Sequence, residues 1–104
     1  MRGLHRVLPL TETFTVTTRL DVLYSAAKFT WPQLRDNVLR AEAQGFGRAW
    51  VFDHISGAML SGSRMLECFT LAGALAAATS SIGVGTLVVN AANRPPGVAV
   101  AAAA

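Results

Sequence analysis

Two adjacent residues, Asp53 and His54, are the side chains in this sequence best suited to proton chemistry. They directly follow Ala49 to Phe52, four apolar residues that predict a buried strand. A histidine titrates near neutral pH, so an imidazole at this point can give or take a proton. In a parallel α/β sheet the pair stands at a strand's carboxyl end, where active sites gather. The structural alternative is that Asp53 caps the following turn and His54 is a surface or satisfied core histidine.

The segment that precedes this pair predicts a first strand. Leu20, Val22 and Tyr24 fall on one face and Arg19 and Asp21 on the other, which predicts a strand over residues 18–24. Residues 1–17 form a separate leader in which threonines alternate with other residues. That pattern permits either a short edge strand or a disordered segment.

A helix is predicted to follow, with Thr30 as its N-cap because Gln33 completes a capping box. Asp36 and Arg40 are expected to pair one turn apart on its polar face. The residues that predict its apolar face and its glycine terminator are Trp31, Leu34, Val38, Ala41 and Gly45.

The second half of the sequence predicts another helix and another strand. Ser63 is the expected N-cap of a helix from Met65 to about Ala78, with Glu67 in its first turn. The apolar run from Ile82 to Val89 predicts a strand covered on both faces. Although no charged residue interrupts Cys68 to Asn93, the change from an alanine-rich to a valine-rich pattern favours two buried elements over a membrane span. Strands and helices alternate, which predicts an α/β fold with parallel strands.

Composition narrows the classes of function. The 104 residues allow at most one domain, and only 14% are charged against the roughly 25% usual for soluble domains. The net charge is +3, but the basic residues are scattered, which argues against a nucleic-acid partner. Cys68 is the single cysteine and is interpreted as a core residue in a reducing compartment, and no secretory signal is recognised, so we expect a cytoplasmic protein without a membrane partner. No metal-ligand cluster, dinucleotide fingerprint or nucleophile elbow is present in the sequence.

Taken in order, several short motifs resemble the N-terminal part of the luciferase-like monooxygenase superfamily. They are Glu42 with Gly45 and Phe46, Asp53 and His54, Leu66 and Glu67, Thr79 and Ser80, Gly85 to Val88, and Arg94 with Pro96. Asp21 departs from the pattern, since members usually carry a small or apolar residue there. The resemblance implies a partial TIM (β/α)8 barrel, in which residues 18–104 supply the first three βα units with parallel strands.

The same resemblance implies a flavin- or deazaflavin-dependent oxidoreductase or monooxygenase. Its cofactor would be FMN or the deazaflavin coenzyme F-420, and its substrate a small molecule. The sequence stops inside a predicted helix, so we expect a truncated barrel that is inactive by itself and prone to form homo-oligomers through open strand edges. The alternative is a small non-catalytic α/β interaction module.

Family members also imply roles for the singled-out residues. His54 would be the catalytic proton donor and Asp53 a cofactor contact. A non-prolyl cis peptide is expected between Leu87 and Val88, where it would support the flavin ring from behind. Asn90 either donates its amide to the cofactor or forms a turn.

One more candidate, Arg94, precedes a proline turn. Two outcomes are open for Arg94: pairing with a carboxylate or a cofactor phosphate, or the solvated arginine that is commoner at such a position.

Overall fold

The computed structural model describes residues 18–58 and 64–104. The predicted leader and the predicted N-cap Ser63 lie outside these ranges. Within them the elements are β1 Val22–Tyr24, α1 Trp31–Ala43, β2 Arg48–Val51, α2 Cys68–Ala78, β3 Gly83–Thr86, a 3-10 turn Ala91–Asn93 and α3 Pro96–Ala103.

The three strands form one parallel sheet in the order β1, β2, β3. Val22 is level with Ala49 in the first pair, and Arg48 is level with Gly83 in the second. A helix lies between consecutive strands in the chain, as a parallel connection requires. The predicted α/β fold with parallel strands is therefore confirmed for the described residues.

Two of the strands are shorter than predicted. β1 begins at Val22, and the carbonyl of Leu20 accepts a hydrogen bond from Gly47 N at 2.8 Å without extending the strand. β3 ends at Thr86, and the apolar run continues into the exposed residues Leu87 and Val88. Alternating residues and apolar runs indicate which segments can form strands. The length of a strand depends on how far the adjacent strand supplies hydrogen-bond partners.

Helix α1 forms as its sequence predicts. Thr30 Oγ1 accepts from Gln33 N at 3.4 Å and Thr30 N donates to Gln33 Oε1 at 3.0 Å, which completes the capping box. Gly45 follows the helix with φ of 85°, a conformation that favours glycine. The predicted pairing of Asp36 is wrong, because its carboxylate accepts from the adjacent Arg35 at 2.9 Å on the exposed face.

Helix α2 begins later than predicted. Its N-cap is Glu67, whose carboxylate accepts from Phe69 N at 3.3 Å and from Thr70 N at 2.7 Å. The prediction of a start at Met65, with Glu67 inside the first turn, is therefore wrong by three residues. The carboxylate satisfies the free amides of the first turn from the cap position.

The core lies between the sheet and the two helices that follow β1 and β2. Most of its buried side chains come from α1, β2 and α2, among them Leu34, Val38, Ala49, Val51, Cys68, Leu71 and Leu75. The interpretation of Cys68 as a core residue is confirmed, since it is 1% exposed. The hydropathic stretch from Cys68 divides into α2 and β3, and among the described residues no helix has the length and apolarity needed to cross a membrane.

The opposite face of the sheet carries Leu23 and Trp50. Leu23 is 49% exposed, and the Trp50 ring lies over Gly85 on the adjacent strand. Trp50 Nε1 donates to Asp21 Oδ2 at 2.9 Å. The carboxylate of Asp21 thus has a partner on this face, which accounts for a charged residue where the family usually has a small or apolar one.

The carboxylate of Glu42, so far named only as part of a family motif, joins α1 to the start of β3. Glu42 Oε2 accepts from the backbone amides of Ser80, Ser81 and Ile82 at 2.8, 2.7 and 2.9 Å. These hydrogen bonds hold the pKa of Glu42 below its usual value. The contact spans about forty residues of chain and fixes the turn that precedes β3.

Candidate functional site

An open cleft of about 480 Å³ lies beyond the carboxyl ends of β2 and β3. Phe52, Asp53 and His54 line one side, and residues 87–91 line the other. The sequence placed these two segments after neighbouring parallel strands, and the structure brings them together as that topology requires.

His54 is exposed at this cleft, and its ring packs edge-on against Phe52 with centroids 5.8 Å apart. The imidazole can therefore reach a molecule in the cleft while Phe52 restricts its orientation. The catalytic role of His54 stays a prediction.

The cis peptide expected between Leu87 and Val88 is present. The two residues are 47% and 68% exposed, although both are large and apolar and directly follow the half-buried strand β3. We call Leu87 and Val88 the apolar shelf. It offers an open hydrophobic surface on the cleft wall opposite His54.

Asp53 lines the cleft but is only 5% exposed. Its Oδ2 accepts from Asn90 N at 2.8 Å and from Arg94 at 2.6 Å, and its Oδ1 accepts from Asn93 Nδ2 at 3.4 Å and from Arg94 at 2.9 Å. All four donors belong to the segment after β3. The structural alternative, in which Asp53 caps the turn that directly follows it, is therefore not what the structure contains. Direct contact between Asp53 and a cofactor stays a prediction, since the roughly four acceptor positions of a carboxylate already have donors in the chain.

Arg94 pairs with two carboxylates. Its guanidinium binds Asp53 through both terminal nitrogens and also donates to Glu67 Oε1. The guanidinium carbon lies 4.6 Å from the centroid of the Phe69 ring, within cation–π range. The expected solvated arginine is wrong, since its side chain is 14% exposed, and pairing with a carboxylate is what the structure contains.

Asn90 has the turn-forming role that the sequence allowed. Its side-chain Oδ1 accepts from Ala92 N at 3.0 Å and caps the 3-10 turn, while its backbone N–H donates to Asp53. Asn90 also lines the cleft, and its contact with a cofactor stays a prediction.

The pKa values of Asp53 and Glu67, the two partners of Arg94, are shifted in the direction that keeps both carboxylates charged. The hydrogen bonds from Arg94 hold the pKa of Asp53 below its usual value, against the opposing effect of burial. Burial would raise the pKa of Glu67, but hydrogen bonds from Thr70, Arg94 and Phe69 outweigh it and lower the pKa to about 2. Burial, aided by the charge of Asp53, raises the pKa of the Cys68 thiol to about 11, so this cysteine is not a thiolate nucleophile at neutral pH.

The part of the chain that the structure describes contains no set of side chains arranged to bind a metal ion. Within residues 18–58 and 64–104, no three His, Cys, Asp or Glu side chains lie close enough to hold a metal ion.

The fold and the site define an α/β protein with its candidate site at the carboxyl ends of parallel strands. The family model described as luciferase-like monooxygenase matches residues 13–104. The chain therefore belongs to the luciferase-like monooxygenase family, an oxidoreductase family whose members generally use flavin or coenzyme F-420. Among curated proteins and among solved structures, no match is found.

The residues of the cleft fit a flavin-type ring. Such a ring is flat and largely apolar, with hydrogen-bonding atoms along its edges. The apolar shelf and Phe52 supply hydrophobic surface, while His54 and Asn90 supply polar groups on the same cleft.

Proposed function

We propose that this chain provides the cofactor-facing part of a flavin- or deazaflavin-dependent oxidoreductase or monooxygenase that acts on a small molecule. The observation that carries the proposal is the shared cleft of His54 and the apolar shelf. A proton-transferring group beside an exposed hydrophobic surface is the arrangement that redox chemistry on a flat ring needs.

We further propose that residues 18–104 correspond to the first three βα units of a TIM barrel. The three strands are parallel and neighbouring in chain order, as in such a barrel. α1 and α2 pack against one sheet face, and the other carries the exposed Leu23 and the half-buried Trp50, where a barrel has its interior. Among the described residues, β1 and β3 are the edge strands of the sheet. Such edges support self-association, so a homo-oligomer is part of the proposal, as is a cytoplasmic location.

In this proposal each cleft residue has a separate task. Leu87 and Val88 hold one face of the ring and exclude water from it, and Phe52 fixes the orientation of His54. His54 holds or delivers a proton at a ring nitrogen, and Asn90 orients the ring through its side-chain amide. FMN or coenzyme F-420, when bound, supplies the hydride or electron transfer, and the activation of oxygen where oxygen is a substrate.

The experiment is a fluorescence titration of the full chain with FMN and with coenzyme F-420. A charge on the shelf should be incompatible with an apolar ring, so Val88→Glu is expected to weaken binding by roughly tenfold or more. Val100→Glu is the matched control, because Val100 is 71% exposed on α3 and Val88 is 68% exposed.

The proposal requires that the wild-type chain binds one of the two cofactors and that the control variant binds it equally well. Binding of neither cofactor by a monomer that unfolds sharply would favour the non-catalytic interaction module. Equal affinity in both valine variants would remove the shelf from the site.

The role of His54 is tested through turnover of the reduced cofactor by a chain that is extended to a full barrel. Replacing His54 with Ala should slow turnover by roughly a hundredfold, because a positioned proton donor contributes about that much. His5→Ala provides the matched control, since His5 is the other histidine of the sequence and precedes the residues that the family model matches. An unchanged rate in His54→Ala would exclude this residue from the mechanism.

A further inference from the structure

One side chain, Arg94, connects three separate parts of the chain below the cleft. It binds Asp53 after β2 and Glu67 at the N-cap of α2, and it belongs to the segment that follows β3. Its guanidinium also lies over the ring of Phe69 in the first turn of α2. Of these residues only Asp53 lines the cleft, whereas Arg94, Glu67 and Phe69 lie outside its lining.

Asp53 is the centre of this connection. It receives two hydrogen bonds from Arg94 and one each from Asn90 and Asn93, so its acceptor positions are filled from within the chain. The next residue in the sequence is His54, the candidate proton donor. A displacement of Asp53 therefore moves the imidazole and the backbone amide of Asn90 together.

Both sides of the cleft depend on these bonds. Asn90 belongs to the wall that includes the apolar shelf, and His54 belongs to the opposite wall. The bond from Asn90 N to Asp53 Oδ2 crosses from one wall to the other at 2.8 Å. Arg94 keeps Asp53 ionised and in register with that amide.

We propose that Arg94 is a positioning residue of this site, which holds the segment of residues 90–94 against the ends of β2 and α2 and so keeps the apolar shelf opposite His54. The proposal rests on the proposed function for the identity of the ligand. It assigns Asp53 an indirect role, through Arg94 and Asn90, in place of direct contact with the cofactor.

The geometry requires an arginine. Two parallel N–H groups meet the two oxygens of Asp53 while a further N–H reaches Glu67, and only a guanidinium presents donors in such a fork. A lysine carries its donors on one nitrogen and cannot reproduce this arrangement. Removal of the guanidinium leaves Asp53, whose side chain is 2% exposed, as a buried carboxylate without its cation.

The test compares Arg94→Met and Arg94→Lys with the matched control Arg35→Met. Arg35 forms an exposed ion pair with Asp36 on α1, so its loss removes an arginine and one salt bridge away from the cleft. Arg94→Met is expected to weaken FMN or F-420 binding by roughly tenfold or more, as losses of supporting hydrogen bonds do around bound groups. Arg94→Lys should show most of this loss, and Arg35→Met none.

Hydrogen exchange of the Asn90 amide provides a readout that needs no cofactor. In Arg94→Met this amide should lose protection while amides in the core of α1 keep theirs. Wild-type exchange at Asn90 in a folded Arg94→Met chain would overturn the proposal. If the wild-type chain binds neither cofactor, the proposed function fails and the exchange measurement still decides the role of Arg94.

A double variant separates positioning from general stabilisation. Adding Asp53→Asn to Arg94→Met removes the stranded charge, so the thermal midpoint should recover toward that of the wild type. Positioning predicts that cofactor affinity stays low in the double variant, whereas recovery of affinity together with stability would overturn it. If Arg94→Met fails to fold, Glu67→Gln removes one arm of the network from a side chain that is 52% exposed, and a smaller loss of Asn90 protection is expected.

Discussion

At the scale of single residues, Asp53 and Glu67 share the guanidinium of Arg94 but differ in burial. The side chain of Asp53 is 2% exposed and that of Glu67 is 52% exposed. Both have a pKa below the ordinary value, which means that the folded chain binds a proton at these groups less readily than the unfolded chain does.

The stability of the fold is therefore expected to fall in acid. For Glu67 the unfolded pKa is near 4.5 and the folded pKa is about 2, so its contribution is complete above pH 4.5 and is lost as the pH falls to about 2. The lowered pKa of Asp53 acts in the same direction. Urea unfolding followed by circular dichroism across this range should show midpoints that decrease steadily with pH.

Replacement of Glu67 by Gln should flatten this pH profile, because one titrating group is removed. Asp36→Asn is the matched carboxylate-to-amide change on an exposed ion pair of α1. A Glu67→Gln chain with the full acid sensitivity of the wild type would contradict the assignment.

The sequence predicted the position of Asp53 and His54 correctly but not the partners of Asp53. Strand alternation and a following polar pair are local, so they identify the carboxyl end of β2. Arg94 lies 41 residues further along, and its pairing depends on the path of the segment after β3. The family resemblance named Arg94 and Glu67 as parts of separate motifs. Only the structure shows that Arg94 pairs with both Glu67 and Asp53.

At the scale of elements, β2 and β3 fit together because a glycine faces an aromatic ring. A Cβ added at Gly85 would lie 2.5 Å from Cζ3 and 2.8 Å from Cε3 of Trp50. The Trp50 ring cannot move freely, since its Nε1 is hydrogen bonded to Asp21. A side chain on β3 at this position must displace the ring.

We expect Gly85→Ala to destabilise the chain by about 1–3 kcal/mol, the usual cost of overpacking. Gly73→Ala is the matched control, because no heavy atom lies within 4 Å of a Cβ at Gly73 in α2 and alanine is the better helix former. This control should stabilise the chain by about 0.5–1 kcal/mol. Urea unfolding measures both changes, and a neutral Gly85→Ala would show that Trp50 moves aside without cost.

Local signals predicted the elements better than they predicted the boundaries. The capping box of Thr30 and the glycine after α1 act within a few residues, and both are found as predicted. The start of α2 was missed because the carboxylate of Glu67 serves as the cap rather than as a first-turn charge. The bonds from Glu42 to three amides were missed because they join distant parts of the chain.

At the scale of the whole molecule, the two faces of the sheet differ in what they contribute. Leu75 of α2 is 0% exposed on the helix-covered face, whereas Leu23 of β1 is 49% exposed on the other. The free energy gained by burial is roughly proportional to the apolar area removed from water. Stability should therefore come from the helix-covered face.

Leu75→Ala is expected to cost about 2–5 kcal/mol, enough to unfold much of a chain whose total stability is of the order of 5 kcal/mol. Leu23→Ala removes the same atoms from a half-exposed site and should cost less than about 1 kcal/mol. Circular dichroism against temperature and urea compares the two variants. Equal losses would mean that the face carrying Leu23 is covered in solution.

The position of Trp50 gives this molecule an intrinsic optical probe. The emission wavelength of an indole depends on the polarity around it, and Trp50 lies on the sheet face that the helices leave open. The sequence contains two tryptophans, and the other, Trp31, begins α1, so Trp31→Phe leaves the signal of Trp50 alone. Any strand, subunit or ligand that covers the open face will then shift the emission to shorter wavelength, and its arrival can be followed without a label.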